Sequence, residues 1–185
     1  MKLKDCEILL TEPRGFCAGV ERAIGIVNRA IEMFDEEIYV KHEVVHNKNV
    51  IEELTKKGVV FIESLTEVPD KSILIYSAHG VSKEVTDIAQ KKNLTIFDAT
   101  CPLVTKVHFE IHKYARENID VILIGHNSHP EVEGTMGRHI NTNFSNIYLV
   151  QDDKEAAEIE VSKPNELALV TQTTLSVDDT KSIIN

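Results

Sequence analysis

The sequence has no tryptophan, and aromatic residues make up only 5% of it. Three cysteines in 185 residues are too few for a disulfide scaffold, so they read as reduced thiols of a cytoplasmic protein. No apolar run approaches the roughly 18 residues of a membrane span. The stretch Met1-Lys2-Leu3-Lys4-Asp5-Cys6-Glu7 has no apolar signal-peptide core. Basic residues are in the minority: 20 Lys and Arg against 30 Asp and Glu leave a net charge of −10. That deficit argues against nucleic acid, whose binding relies on a basic patch. Low-complexity tracts are absent. What is present, 42% hydrophobic residues, suffices to bury a core in one domain or two small ones.

Hydrophobic patterning alternates strand with helix. Short apolar runs predict strands over 8–10, 38–40, 59–62, 73–76, 94–97, 121–124, 147–150 and 167–170. Three- and four-residue spacing predicts helices over 18–34, 50–57, 82–92, 102–116, 131–136, 154–159 and 177–184. Gly58 reads as a helix stop, Ser82 and Ser176 as N-caps, and 68–70 as a turn. Such alternation implies an α/β fold of parallel sheets with helical crossovers. Ligands of such sheets bind outside the carboxyl ends of the strands.

The predicted strand ends carry the chemistry. Cys17 follows the first, in the turn Pro13-Arg14-Gly15-Phe16-Cys17-Ala18-Gly19-Val20, where glycines permit a sharp bend. The positive potential of a helix N-terminus favours a thiolate there. Nucleophile, redox thiol, metal ligand and small buried hydrophobe all remain open for Cys17. Cys101 recurs 84 residues later in a similar strand–cysteine–helix setting. Other strand ends deliver His42, Glu43 and His46; His79; His126, His129 and Glu131; and Gln172, Thr173 and Thr174. His46, His79 and His129 precede predicted helices, positions that suit anion binding. Glu131 beside them could donate a proton if burial raises its pKa. Thr173, Thr174 and Gln172 offer neutral donors.

Three further signals have plainer readings. His42-Glu43-Val44-Val45-His46 matches the H-E-x-x-H pattern of zinc peptidases, but it follows a β-branched strand. Extended backbone would set His42 and His46 too far apart to chelate one ion. His108 and His112 lie four apart on a predicted helix among Lys106, Glu110 and Lys113, a solvated face. Cys6, among charged residues, reads as incidental.

These motifs also resemble a known family. Pro13–Val20, His42–Asn47, Ser77-Ala78-His79-Gly80-Val81-Ser82, Asp98-Ala99-Thr100-Cys101-Pro102-Leu103-Val104-Thr105-Lys106-Val107-His108, His129-Pro130-Glu131-Val132-Glu133-Gly134-Thr135-Met136-Gly137 and Thr171-Gln172-Thr173-Thr174-Leu175-Ser176 are similar to the 4-hydroxy-3-methylbut-2-enyl diphosphate reductases of isoprenoid precursor synthesis. The resemblance implies a trefoil of three pseudo-equivalent parallel-sheet α/β lobes around a [4Fe–4S] cluster. Residues 18–100 and 101–185 would be two of those lobes, and residues 1–17 a strand and ligand turn packing with the third. It implies Cys17 and Cys101 as cluster ligands and His46, His79, His129 and Thr173 as substrate-binding residues. Glu131 would be the catalytic proton donor, and a ferredoxin or flavodoxin the electron donor. The third cysteine and third lobe of the family have no counterpart up to Asn185. The expectation is that this chain alone binds a cluster poorly and has little activity. A non-catalytic diphosphate-binding fragment, or a zinc hydrolase using His42 and His46, are the alternatives.

Overall fold

The computed structural model describes residues 7–139 and 144–184. Four strands form the first sheet: β1 (Ile38–Lys41), β2 (Val60–Ile62), β3 (Ile73–Tyr76) and β4 (Thr95–Asp98). They are all parallel, in the order β2-β1-β3-β4. The second sheet holds β5 (Asp120–Ile124), β6 (Ile147–Val150) and β7 (Leu167–Thr171), also parallel, in the order β6-β5-β7.

Helices make the crossovers: α1 (Ala18–Met33), α2 (Lys48–Lys56), α3 (Lys83–Lys91), α4 (Pro102–Arg116), α5 (Pro130–Met136), α6 (Asp153–Glu158) and α7 (Val177–Ile184). A 3-10 turn, Leu65–Glu67, was not legible in the hydrophobic pattern. Local chemistry sets several boundaries. The Asn47 side chain caps α2 by accepting from Val50 N–H, and Ser82 caps α3 through Val85 N–H. Gly58 ends α2 with φ +91°, a conformation that side chains resist.

β1 and β3 are buried along their whole length, as central parallel strands are when helices cover both faces. Alternate residues face opposite layers. Val40 and Ile75 pack with Ala23, Val27 and Ala30 of α1, while Tyr39 and Leu74 pack with Leu65, Val68 and Ala89. The two sheets are joined at the α5 terminus. Lys83 N–H donates to Gly137 O at 3.1 Å, and Arg138 Nε donates to Val81 O at 2.7 Å. A Cβ on Gly137 would fall 2.3 Å from Ser82 Cβ, so the junction closes only around glycine.

One expected element does not form. Ile8, Leu9 and Leu10 join neither sheet, and all three are exposed. An apolar run becomes a strand only where a neighbour accepts its backbone hydrogen bonds, and among the described residues none does.

Candidate functional site

Cys17 and Cys101 hold equivalent places, each immediately before the first turn of a helix, α1 and α4. Neither side chain is engaged in capping, and both thiols are free. Pro102 opens α4, where a missing N–H is harmless. The two helix starts meet at Gly19. A Cβ there would lie 2.9 Å from Cys101 Sγ and 3.8 Å from Cys17 Sγ, which bounds the distance between the sulfurs at the sum, 6.7 Å. With 8–10 outside the sheets, the strand–cysteine–helix repeat is complete only at Cys101. Cys6 lies outside the described residues.

The Cys101 turn is tied to the histidines. Cys101 N–H donates to Ala78 O at 2.9 Å, and Ala78 N–H donates to Val44 O at 3.2 Å. These bonds hold three loops side by side. His46, His79 and His129 cluster there, with ring centroids 4.3, 5.0 and 5.5 Å apart. One ring nitrogen from each lies within 4.8 Å of the others. His46 is exposed, His79 buried and His129 half-buried.

Three imidazoles at that spacing could take a metal ion or an anion, and the proton positions favour the anion. The Nδ1 atom of His129 accepts from Glu131 N–H at 3.1 Å, so it carries no proton. The neutral ring therefore carries its proton on Nε2, which faces His46 Nε2 at 3.0 Å. A metal-bound histidine has the opposite arrangement, with a bare nitrogen on the metal and an N–H held by an acceptor behind it. His129 offers a donor to whatever enters. Burial, reinforced by His46 and His129, pushes His79 down to about 3. Burial and then His46 also lower His129.

Glu131 is 2% exposed, and burial pushes its carboxyl above the usual range. Thr173 opposes that shift. Its N–H donates to Oε1 at 2.6 Å and its hydroxyl donates to Oε2 at 2.9 Å. Thr173 thus holds Glu131 in one rotamer.

Other residues are placed differently from their sequence readings. The segment His42-Glu43-Val44-Val45-His46 is not helical, and Val44 and Val45 are buried in the core. His42, at φ +62°, turns to Glu63, with Nδ1 2.6 Å from Oε2, while His46 joins the cluster. Gln172 is no free donor: its Oε1 accepts from His126 N–H at 3.0 Å and its Nε2 donates to Thr174 Oγ1 at 2.8 Å. His108 is buried rather than solvated. The buried stripe of α4 is Val104, His108, Ile111 and Ala115, so the cations beside His108 lie on other faces. Sequence reasoning also missed Lys41. It ends a wholly buried strand, and its Nζ lies 2.6 Å from His42 Nε2. Its place at a strand's carboxyl end was the available signal.

The burial of His108 has a measurable consequence. Burial, then Arg138, pushes it down to about 4, and Nε2 has no hydrogen-bond partner among the described residues. The unfolded chain titrates this group near its ordinary value of 6.5. Between those values the unfolded state binds more protons, so stability falls as pH drops, by up to about 1.4 kcal/mol per pH unit for this group. Urea midpoints from pH 7.5 to 4.5 are expected to fall less steeply in His108→Gln than in the parent. Equal slopes would remove His108 as a source of acid sensitivity.

A protein-family model described as "LytB protein" matches residues 8–185. The 4-hydroxy-3-methylbut-2-enyl diphosphate reductase of Acinetobacter baumannii is 60% identical over 179 residues, covering 97% of this chain and 57% of the relative. The enzyme of the same name from Ectopseudomonas mendocina is 60% identical over 178 residues, 96% of this chain and 57% of the relative. This chain therefore spans little more than half the length of these curated relatives. Among solved structures, the E-1-hydroxy-2-methyl-but-2-enyl-4-diphosphate reductase of Plasmodium falciparum superposes with a TM-score of 0.86 at 46% identity, covering 94% of this chain and 53% of that one. A second structure, titled as the terminal enzyme of the non-mevalonate pathway, gives 0.76 at 28% identity, with 96% and 62% covered. With its parallel two-sheet fold and this degree of identity over nearly its whole length, the chain belongs to the LytB family.

Proposed function

We propose that this chain provides the diphosphate clamp, the proton donor and two thiolate ligands of an iron–sulfur reductase. Its substrate is 4-hydroxy-3-methylbut-2-enyl diphosphate, reduced to isopentenyl and dimethylallyl diphosphates with loss of water. One observation carries the proposal. Two free thiols meet at Gly19, and the Cys101 turn is hydrogen-bonded to the loop that continues into a three-histidine cluster.

The thiols suit the group. Soft thiolates select iron–sulfur clusters and zinc, and neither sulfur here has another task. Cys17 and Cys101 would hold a [4Fe–4S] cluster, which when bound supplies electrons singly and acts as Lewis acid toward the substrate oxygen. His46, His79 and His129 grip the diphosphate through N–H donors. Glu131 holds a proton on Oε2. Thr173 Oγ1 lies 2.9 Å away and can turn from donor to acceptor, so it stabilises Glu131 both before and after the proton leaves. A ferredoxin or flavodoxin delivers the electrons.

A cluster needs three or four protein ligands, and two thiols are found among the described residues. We assign the third thiolate to a segment equivalent to the part of the longer relatives that this chain does not cover. Residues 18–100 and 101–185 act as two lobes of one design. β4 lies outside β3 and leads into Cys101, while β7, paired with β5 as β3 is with β1, has no outer neighbour among the described residues. A strand added there would deliver the third thiol, and residues 8–10 would pair with the lobe that follows it.

The test is anaerobic reconstitution with iron and sulfide, followed by a reductase assay with a one-electron donor. It is run with and without a separately made C-terminal segment of the A. baumannii relative. Iron–sulfur absorption and turnover are expected with the segment, and little of either without it. No iron–sulfur absorption in either arm overturns the cluster; full activity from residues 1–185 overturns the need for a third thiolate. Diphosphate binding without turnover in both arms reduces the chain to a binding unit.

A further inference from the structure

Arg22 lies on α1, five residues beyond Cys17 and three beyond Gly19. Its side chain reaches across to the loop that joins β4 to Cys101. Nη1 donates to Thr100 O at 3.0 Å and Nη2 donates to Asp98 O at 3.2 Å. Among the described residues it meets no carboxylate at ion-pair distance. The same loop is braced from within, by Thr100 N–H to Asp98 Oδ1 at 2.8 Å, and behind, by Cys101 N–H to Ala78 O at 2.9 Å.

Three positions at the start of α1, its N-cap included, thus act on the thiol pair. Position 17 carries one thiol. Position 19 has no side chain, and any Cβ there would fall 2.9 Å from Cys101 Sγ. Position 22 holds the backbone that leads into the second thiol. Without Arg22, two carbonyls of the loop would turn to water, and the loop would be held only from the β3 side, by Ala99 N–H to Tyr76 O at 3.0 Å and Cys101 N–H to Ala78 O at 2.9 Å, with no hydrogen bond among the described residues tying it to α1. We infer that Arg22 is a positioning residue whose guanidinium fork, acting with the side-chain gap at Gly19, holds the Cys101 loop against α1 and so sets the spacing of Cys17 and Cys101 before any group binds. Lysine cannot replace it fully, because a single ammonium has no planar fork to span two carbonyls.

This inference rests on the reading of Cys17 and Cys101 as a shared ligand pair. Its test needs no cluster. In a Cys6→Ser background only these two thiols remain. Each end of a bis(methanethiosulfonate) reagent forms a disulfide with one thiolate and releases methanesulfinate. The ethylene reagent is expected to bridge Cys17 to Cys101 within one chain more efficiently than the hexamethylene reagent. Arg22→Gln is expected to lower the ethylene cross-link about tenfold relative to single-site labelling, as an intramolecular pair loses its fixed geometry. The hexamethylene yield should hold, a contrast that general destabilisation would not produce. Arg22→Lys should fall between. Gly19→Ala, whose methyl drives Cys101 Sγ away, should move the ratio the same way.

Circular dichroism checks folding. If Arg22→Gln is unfolded, Arg22→Lys carries the test. Parental cross-linking ratios in a folded Arg22 variant, or a parent that prefers the long reagent, overturn the inference and leave the iron–sulfur reading standing. Loss of iron–sulfur absorption in the reconstitution would overturn that reading and leave the clamp untouched.

Discussion

Replacing Glu131 with Gln in the reconstituted reductase is expected to lower turnover by about 10²–10⁴-fold, the usual worth of a positioned proton donor. Glutamine is the right probe because it preserves the scaffold. Its carbonyl can accept from Thr173 N–H as Oε1 does, and its amide can donate to Thr173 Oγ1, which is free to accept. The proton is what the variant lacks. Alanine would instead leave Thr173 N–H without a partner beside a cavity, mixing a structural loss with the chemical one. The environment of Glu131 suits the role. Burial holds the carboxyl above its ordinary range, so a larger fraction is protonated near neutrality. Two opposing hydrogen bonds from Thr173 keep it from becoming a permanently neutral group. Because Glu131 meets the histidines through its backbone N–H to His129 Nδ1, a bond that glutamine keeps, while its carboxylate is held by Thr173, inorganic pyrophosphate affinity should stay within a few-fold. Steady-state turnover together with calorimetric binding separates the two effects. Unchanged turnover would remove Glu131 from the proton path.

Much of this fold was legible because its strands are parallel and covered on both faces. Such strands read as unbroken apolar runs, and Ile73–Tyr76 has the predicted limits. The helix starts after Cys17 and Cys101 and the cap at Ser82 were legible from local chemistry alone. What local chemistry could not give was long-range partnership. Ile8–Leu10 has the composition of a strand, but no described strand pairs with it. His108 was judged by its charged neighbours in sequence, whereas its neighbours at three- and four-residue spacing, Val104 and Ile111, place it inside. Nothing in the sequence singled out Arg22, whose partners lie 76 and 78 residues away. The meeting of His46, His79 and His129 was foreseeable from their places at the carboxyl ends of strands and from the family resemblance, but not in its geometry. Their mutual distances, and the tautomer of His129, come from the folded chain.

That tautomer makes the last prediction sharp. Inorganic pyrophosphate should bind the 185-residue chain, and His46→Ala or His129→Ala should each weaken it by roughly 1.5–3 kcal/mol, the worth of a hydrogen bond to a charged group. The dissociation constant then rises by about 10–100-fold. His46→Ala is the cleaner variant, because His46 is exposed and the neighbouring Asn47, not His46, caps α2. The sign of the pH dependence follows from linkage. Burial holds His79 near 3 and lowers His129, so both rings enter the complex neutral near pH 7. A polyanion beside them favours their charged forms and raises those values. Binding therefore takes up protons, and affinity strengthens as pH falls from 8 to 6. Calorimetry in buffers of different ionisation enthalpy measures the uptake directly, and the difference between the parent and His129→Ala cancels the titration of pyrophosphate itself. Zinc should behave in the opposite way. To ligate through Nε2, His129 must move its proton to Nδ1, where it would face the N–H of Glu131 with no acceptor between them. Stoichiometric zinc binding with no measurable pyrophosphate affinity would make the three histidines a metal centre and remove the diphosphate clamp.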